Sequence, residues 1–305
     1  MCALALLTVL LLASASSAAA ADELETPPPL SPLDQDETSV AAGVEHSCAI
    51  HTASYSDVGG RVLCWGLNSG GQSSPPPGHF VQVSAGRLHT CALRLDETLE
   101  CWGSGAPTRR PDGLFEQVSS GDFHSCGVLK DKSLRCWGTV AAGRATPPSG
   151  KFVQVSCGKD FSCALSAEGR VSCWGENSRN QLNAPPDTVF KQISASPGNF
   201  ACGVTADHGV TCWGDNHRGQ CDPPANEKVV LVSTSRLGAC AIKLDKTVVC
   251  WGMRSGVTSP PRDVQFDELS LGWNHGCGVR VEDGGVQCWG SRANGRLDIP
   301  TVLQY

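Results

Sequence analysis

No stretch of this 305-residue chain sustains the apolar period of about 3.6 residues that an amphipathic helix needs, so helical bundles and coiled coils are excluded. Nor does any segment after residue 21 approach the roughly 20 apolar residues of a membrane-spanning helix. Glycine-rich phosphate loops, nucleophile elbows and zinc-protease motifs are missing, which removes the signatures of several common enzyme classes. Lysine and arginine are absent from the first 38 residues. The formal net charge of −6 therefore has a location: Asp22, Glu23, Glu25, Asp34, Asp36 and Glu37 carry all of it, and residues 39–305 are neutral. A neutral body offers no general electrostatic footprint for nucleic acid.

What the chain has instead is repetition. Cys-Trp-Gly occurs seven times, with Trp65, Trp102, Trp137, Trp174, Trp213, Trp251 and Trp289 spaced 35 to 39 residues apart. Such a period marks one supersecondary unit copied seven times, each unable to bury its own apolar faces and so packed on its neighbours. In the second copy, Phe80-Val-Gln-Val-Ser-Ala-Gly86, Arg87-Leu-His-Thr-Cys-Ala-Leu93 and Leu99-Glu-Cys-Trp-Gly103 are strand-sized pieces separated by polar turns. Phe80, Phe115, Phe152, Phe190 and Phe266 each start a first strand. A glycine stands five residues before the first cysteine in five copies, where positive φ or close backbone approach is needed. Copies five and six are the least regular, around Ala195-Ser196-Pro197-Gly198 and Thr234-Ser235.

The expected fold is all-β: a seven-bladed β-propeller over residues 39–305, with three or four antiparallel strands per blade and one domain despite its length. Cys and Trp of each Cys-Trp-Gly point to opposite faces of their strand, and each face meets a neighbouring sheet. A linear solenoid would want polar terminal caps, which are missing. The C-terminal Thr301-Val-Leu-Gln-Tyr305 resembles Thr188-Val-Phe-Lys-Gln192 and is expected to supply a closing strand.

Residues 1–21 carry no charge, and an apolar run from Ala3 to Ala13, broken only by Thr8, leads into small residues. That is the pattern of a secretory signal peptide cleaved near Ala20 or Ala21. Residues 22–38, acidic and rich in proline, read as a solvated, disordered arm. The mature chain is expected to be exported, soluble and monomeric, a free ectodomain at most.

Fourteen of the seventeen cysteines fall into frame pairs: Cys48 with Cys64, Cys91 with Cys101, Cys126 with Cys136, Cys163 with Cys173, Cys202 with Cys212, Cys240 with Cys250, and Cys277 with Cys288. Five pairs share one spacing across a predicted hairpin, which sets the partners opposite each other within disulfide reach. In an exported chain seven intrablade disulfides are the preferred reading. Zinc is the competitor, but its sites want ligands converging on one ion, whereas successive pairs here lie in different blades. Buried free thiols would suit a cytosolic relative. Cys2 leaves with the signal, and a bridge between Cys157 and Cys221 stays open. His46, His89, His124 and His275 share one frame slot, two residues before the first cysteine, that elsewhere holds Phe161, Phe200 and Gly238. A slot that accepts phenylalanine is a packing position, so no metal and no cofactor are expected.

The segment Ala85-Gly86-x-x-His89-Thr90-Cys91-Ala92-Leu93 before Cys-Trp-Gly, with Asn68 to Gln72, Asn177 to Gln181 and Asn216 to Gln220 following three copies, resembles regulator of chromosome condensation repeats. The paired cysteines are more similar to the ectodomain repeats of plant crinkly-type receptor kinases. The resemblance covers residues 39–305 and implies the propeller. Propellers of this kind include a nuclear exchange factor, receptor ectodomains and secreted β-lactamase inhibitors, so it implies no single function.

A secreted binding scaffold for an extracellular protein or anionic glycan is the favoured reading, with no enzyme activity expected; a carbohydrate-binding or hydrolytic propeller is the alternative. The loops after Cys-Trp-Gly hold Arg109, Arg110, Arg144, Arg179, Arg218, Arg254, Arg292 and Arg296, half of the arginines, and should emerge on one face. Arginine suits carboxylate partners and is enriched at binding hot spots. The acidic arm is expected to compete for that face.

Overall fold

The computed structural model describes residues 39–52, 59–109 and 111–304; the expected signal peptide and acidic arm lie outside them. Seven three-stranded antiparallel sheets follow one another along the chain, each a simple meander. They span residues 40–66, 80–103, 115–138, 154–175, 190–214, 229–252 and 266–290, here blades 1 to 7. Blade 2 is representative, with an inner strand Phe80–Ala85, a middle strand His89–Arg94 and an outer strand Leu99–Gly103.

In five blades the ladder slips by one residue just after the first residue of the inner strand, as between Phe80 and Gln82. This bulge lets Phe80 and Val83, three residues apart, both point inward, which a regular strand forbids. The cysteine pairs sit directly opposite on the middle and outer strands, as in Cys91↔Cys101, with Cα atoms 4.0–4.1 Å apart. All seven disulfides are formed within blades.

There is no single core. Seven clusters each fill one joint between consecutive blades, and Cys-Trp-Gly serves two of them at once: Trp102 packs into the joint with blade 1, Cys101 into the joint with blade 3. At six joints one residue at or just before the start of the inner strand is the central plug: Phe80, Phe115, Phe152, Phe190, Val229 and Phe266. Blade 1 supplies no such plug among its described residues. Its joint with blade 7 is filled by fully buried Leu303, packed among Cys277, Val279 and Val286 on one side and Val40, Ala49 and Trp65 on the other. These are the frame equivalents of the residues around Phe80.

The expectation of a C-terminal closing strand is thereby corrected. Thr301–Leu303 is a 3₁₀ turn, with the Leu303 amide donating to the Pro300 carbonyl, and it corresponds to the turn between blades, not to an inner strand. The three-stranded sheet of blade 1 is complete without it. The ring is sealed by a side chain.

Inner strands line the channel as sheet edges, whose free amides must be satisfied. A frame serine does this at six joints. Ser84, Ser119, Ser156, Ser194, Ser233 and Ser270 each accept at 2.8–3.1 Å from an amide of the following blade, the last from Ala42 across the seam. Gln82, Gln117, Gln154 and Gln192, and Glu268 across the seam, repeat this two residues earlier.

Candidate interaction face

The Ser104 amide donates to the Leu88 carbonyl, so the loop after an outer strand lies beside the turn between inner and middle strands. The Phe115 amide donates to the Glu97 carbonyl, which puts each blade's entry beside the preceding hairpin turn. The two faces are therefore a loop face and a hairpin face, and the post-Gly loops do emerge on one side. Ser39, the first described residue, precedes an inner strand and sits on the hairpin side. The acidic arm expected to compete for the arginines lies outside the described residues.

Of the eight arginines expected on the loop face, Arg109, Arg179, Arg218, Arg254 and Arg292 are exposed, and Arg110 lies outside the described residues. Arg144 and Arg296 are buried, and their assignment to an accessible face is corrected. The reason is a structural slot. In every blade the tryptophan Nε1–H donates to a carbonyl in the preceding post-Gly loop, at 2.9–3.1 Å, and the acceptors are Gln72, Pro107, Arg144, Gln181, Gln220, Val257 and Arg296. Gln72, Gln181 and Gln220 fold their side-chain oxygens back on the loop amides of Gly70, Arg179 and Arg218. Arg144 and Arg296 replace them by donating Nε–H to the Ala141 and Ala293 carbonyls. Arg144 also pairs with Asp160. A side chain in this slot is covered by the next blade, whatever its charge.

The histidine slot holds a pattern that reading each repeat by itself misses. Nε2 of His275, His46, His89 and His124 lies 2.6–2.8 Å from the hydroxyl of Ser47, Thr90, Ser125 and Ser162, respectively, always in the next blade. Where the slot holds Phe161, Phe200 or Gly238, the next blade has Ala201, Ala239 or Gly276 at the hydroxyl position. The signal was present in the sequence, one blade out of phase. Because Thr90 and Ser125 spend their own protons on Gln72 O and Ser120 Oγ, His46 and His89 are the donors and carry the proton on Nε2. Burial pushes His46, His124 and His275 down to about 3 and His89 down to about 4. These Ser–His pairs are not hydrolytic: both partners are buried, and Nδ1 of His46, His124 and His275 has no group to orient it.

Cys157 and Cys221 are free thiols, so the eighth bridge left open by the sequence does not form. Cys157 faces the channel from the end of an inner strand, while Cys221 sits in a loop and donates to the Asp215 carbonyl. Burial raises them to about 11 and about 12. His124, Cys126 and Cys157 bring potential ligand atoms within 4.8 Å, but Cys126 is bonded to Cys136 and offers no thiolate.

The channel is a cavity of about 150 Å³, walled largely by glycine, alanine and serine. Gly86 lacks room for any side chain, since a Cβ would stand 2.6 Å from the Gly121 carbonyl oxygen. At its mouth buried Asp122 is raised to about 7 by desolvation. On the loop face, blades 4 to 7 frame a second cleft of about 240 Å³, reached by Lys159, Arg179, Arg236 and Trp273.

Residues 80–106, 115–139, 152–181 and 190–220 match the model of the regulator of chromosome condensation (RCC1) repeat. Blades 2 to 5 are thus RCC1-type repeats within the seven-bladed propeller. It is similar to the crinkly ectodomain of receptor kinase ACR4 from Arabidopsis thaliana, 28% identical, covering 85% of this chain and 98% of that one with a TM-score of 0.70. The ectodomain of receptor kinase CR4 from Physcomitrella patens has the same fold, at 24% identity, a TM-score of 0.71 and coverage of 83% and 73%. A serine/threonine-protein kinase-like protein, CCR4 of Arabidopsis thaliana, is 39% identical over 66 residues, 22% of this chain and 8% of its own length. The matched segment thus spans less than a tenth of that relative. Among the described residues no helix is long and apolar enough to cross a membrane. The seven disulfides and the likeness to receptor ectodomains point to an extracellular location.

Proposed function

We propose that the chain is an exported scaffold that recognises a protein partner through the loop face of its propeller. One observation carries this reading: Arg109, Arg179, Arg218, Arg254 and Arg292 remain exposed on one face of an otherwise neutral ring, after the structural arginines of the same loops have been set apart. Likeness to receptor ectodomains supports a binding role. Export is read from the uncharged, apolar leader over residues 1–21. Arginine presents a planar fork to carboxylates and loses less freedom per hydrogen bond than lysine, which favours an acidic protein surface.

Capture from extracellular medium tests this. The wild-type chain should retain a protein that a variant with Arg109, Arg218, Arg254 and Arg292 all changed to Ala loses, at unchanged thermal stability. Retention of the same partner by that variant, or capture of glycans alone on an array, would contradict it and favour a carbohydrate-binding propeller.

A further inference from the structure

The loop face is not uniform. On one side of the ring its cations are spent internally: Arg144 pairs with Asp160, and Arg87 and Arg144 lie 5.4 and 5.5 Å over the Phe123 ring. On the other side the frame itself breaks. Blade 5 inserts one residue around Pro197-Gly198, and blade 6 places Gly238 where a histidine or phenylalanine would stand. The cleft of about 240 Å³ opens where those two irregular turns meet.

Its walls carry Lys159 from blade 4, Arg179 from the loop after it, Arg236 from blade 6 and Trp273 from blade 7. Among the described residues neither Arg179 nor Arg236 forms an ion pair, and Arg236 lies 4.8 Å over the Trp273 indole. Asp215 is the single carboxylate in the wall, and it is engaged by the His217 amide and ring. Arg179 and Arg236 are therefore the uncommitted cations of the cleft, Lys159 being shared with Asp160 at 3.5 Å, and they face one committed anion beside the apolar surface of Trp273 and Leu237.

We infer that this cleft binds an acidic peptide segment of the partner, seating a carboxylate between Arg179, Lys159 and Arg236 and a neighbouring apolar side chain against Trp273. Size supports a segment: drug-sized pockets start at about 300 Å³, so this cleft takes one or two side chains and no folded surface. A sugar ring is disfavoured because stacking needs an open aromatic face, and Trp273 is half-buried with Arg236 laid across it. An aspartate or glutamate asks only for the guanidinium forks.

The inference rests on the protein-binding reading of this face. It is tested by fluorescence anisotropy on the full mature chain with the labelled peptide Gly-Asp-Leu-Glu-Gly, its Asn/Gln counterpart and trigalacturonate as competitor. The acidic peptide should bind, the amide counterpart should bind at least about tenfold more weakly, and Arg179→Ala and Arg236→Ala should each weaken binding about tenfold. Lys130→Ala, exposed in a hairpin turn on the opposite face, should leave it unchanged, and Trp273→Ala should discriminate between Leu and Gly at the central position of the peptide. Equal binding of the amide peptide, equal loss in Lys130→Ala, or displacement by trigalacturonate with the same arginine dependence would overturn the assignment. A captured partner lost by the four-arginine variant but indifferent to Arg179→Ala and Arg236→Ala would sink the cleft and leave the face standing. Indifference to every one of these changes would sink both.

Discussion

His275 of blade 7 and Ser47 of blade 1 are joined by a 2.7 Å hydrogen bond across the seam of the ring, 228 residues apart in sequence. The same bond recurs at the three joints that follow, from blade 1 to blade 4, so the seam is built like the interior joints. Each hydroxyl is buried, and removing it strands an imidazole nitrogen. Ser125→Ala should therefore cost about 1–3 kcal/mol. Phe161 and Ala201 are the chain's own apolar version of the pair, and the rings of Phe161 and His89 press on the equivalent glycines Gly158 and Gly86. Combining Ser125→Ala with His89→Phe should restore much of the loss, with a coupling of about 1 kcal/mol or more in a double-mutant cycle. Additive losses would show that the bond is incidental.

The same histidines set the response to acid. Their folded pKa values of about 3 to 4 lie below the usual 6.5, so the folded ring binds fewer protons than the unfolded chain. Their contribution is fully present above pH 6.5 and falls as pH drops towards 4, by at most about 1.4 kcal/mol per pH unit for each histidine. Asp122 has the opposite sign. Raised to about 7, it stabilises the fold below pH 4 and loses that contribution as pH rises through 7, offsetting one of the four histidines. Denaturant midpoints should decline steadily from pH 7 to pH 4, and replacing His89 together with Ser125 by Phe and Ala should make the decline shallower.

Leu303 takes the place that phenylalanine or valine holds at every other joint. Leu303→Ala should lower stability by about 2–5 kcal/mol, as for a fully buried leucine. Val302→Ala, at a position 46% exposed, should change it by no more than about 0.5 kcal/mol. Equal effects would mean that the C-terminus does not seal the ring.

The blade count, strand order and cysteine pairing were legible because Cys-Trp-Gly repeats in register, and each is a property of one repeat. What was not legible joins two repeats. The pairing of His46 with Thr90, the burial of Arg144 in a slot otherwise held by Gln72, and the use of Leu303 as a plug become visible only when each position is compared with its neighbour one blade on. The closing strand was misjudged because Thr301 to Leu303 copies the composition of a blade entry while its hydrogen bonds are those of the preceding turn. Charge alone also misled at Arg296, whose guanidinium serves its own loop.

Binding through the loop face is tested most directly by hydrogen–deuterium exchange on the complex with a captured partner. Protection is expected in the post-Gly loops carrying Arg179, Arg218 and Arg254 and in the turn around Arg236, with the hairpin turns at Glu97, Lys132 and Lys246 unchanged. Protection of those hairpin turns, with the arginine loops exchanging as in the free chain, would place the partner on the opposite face and contradict the assignment.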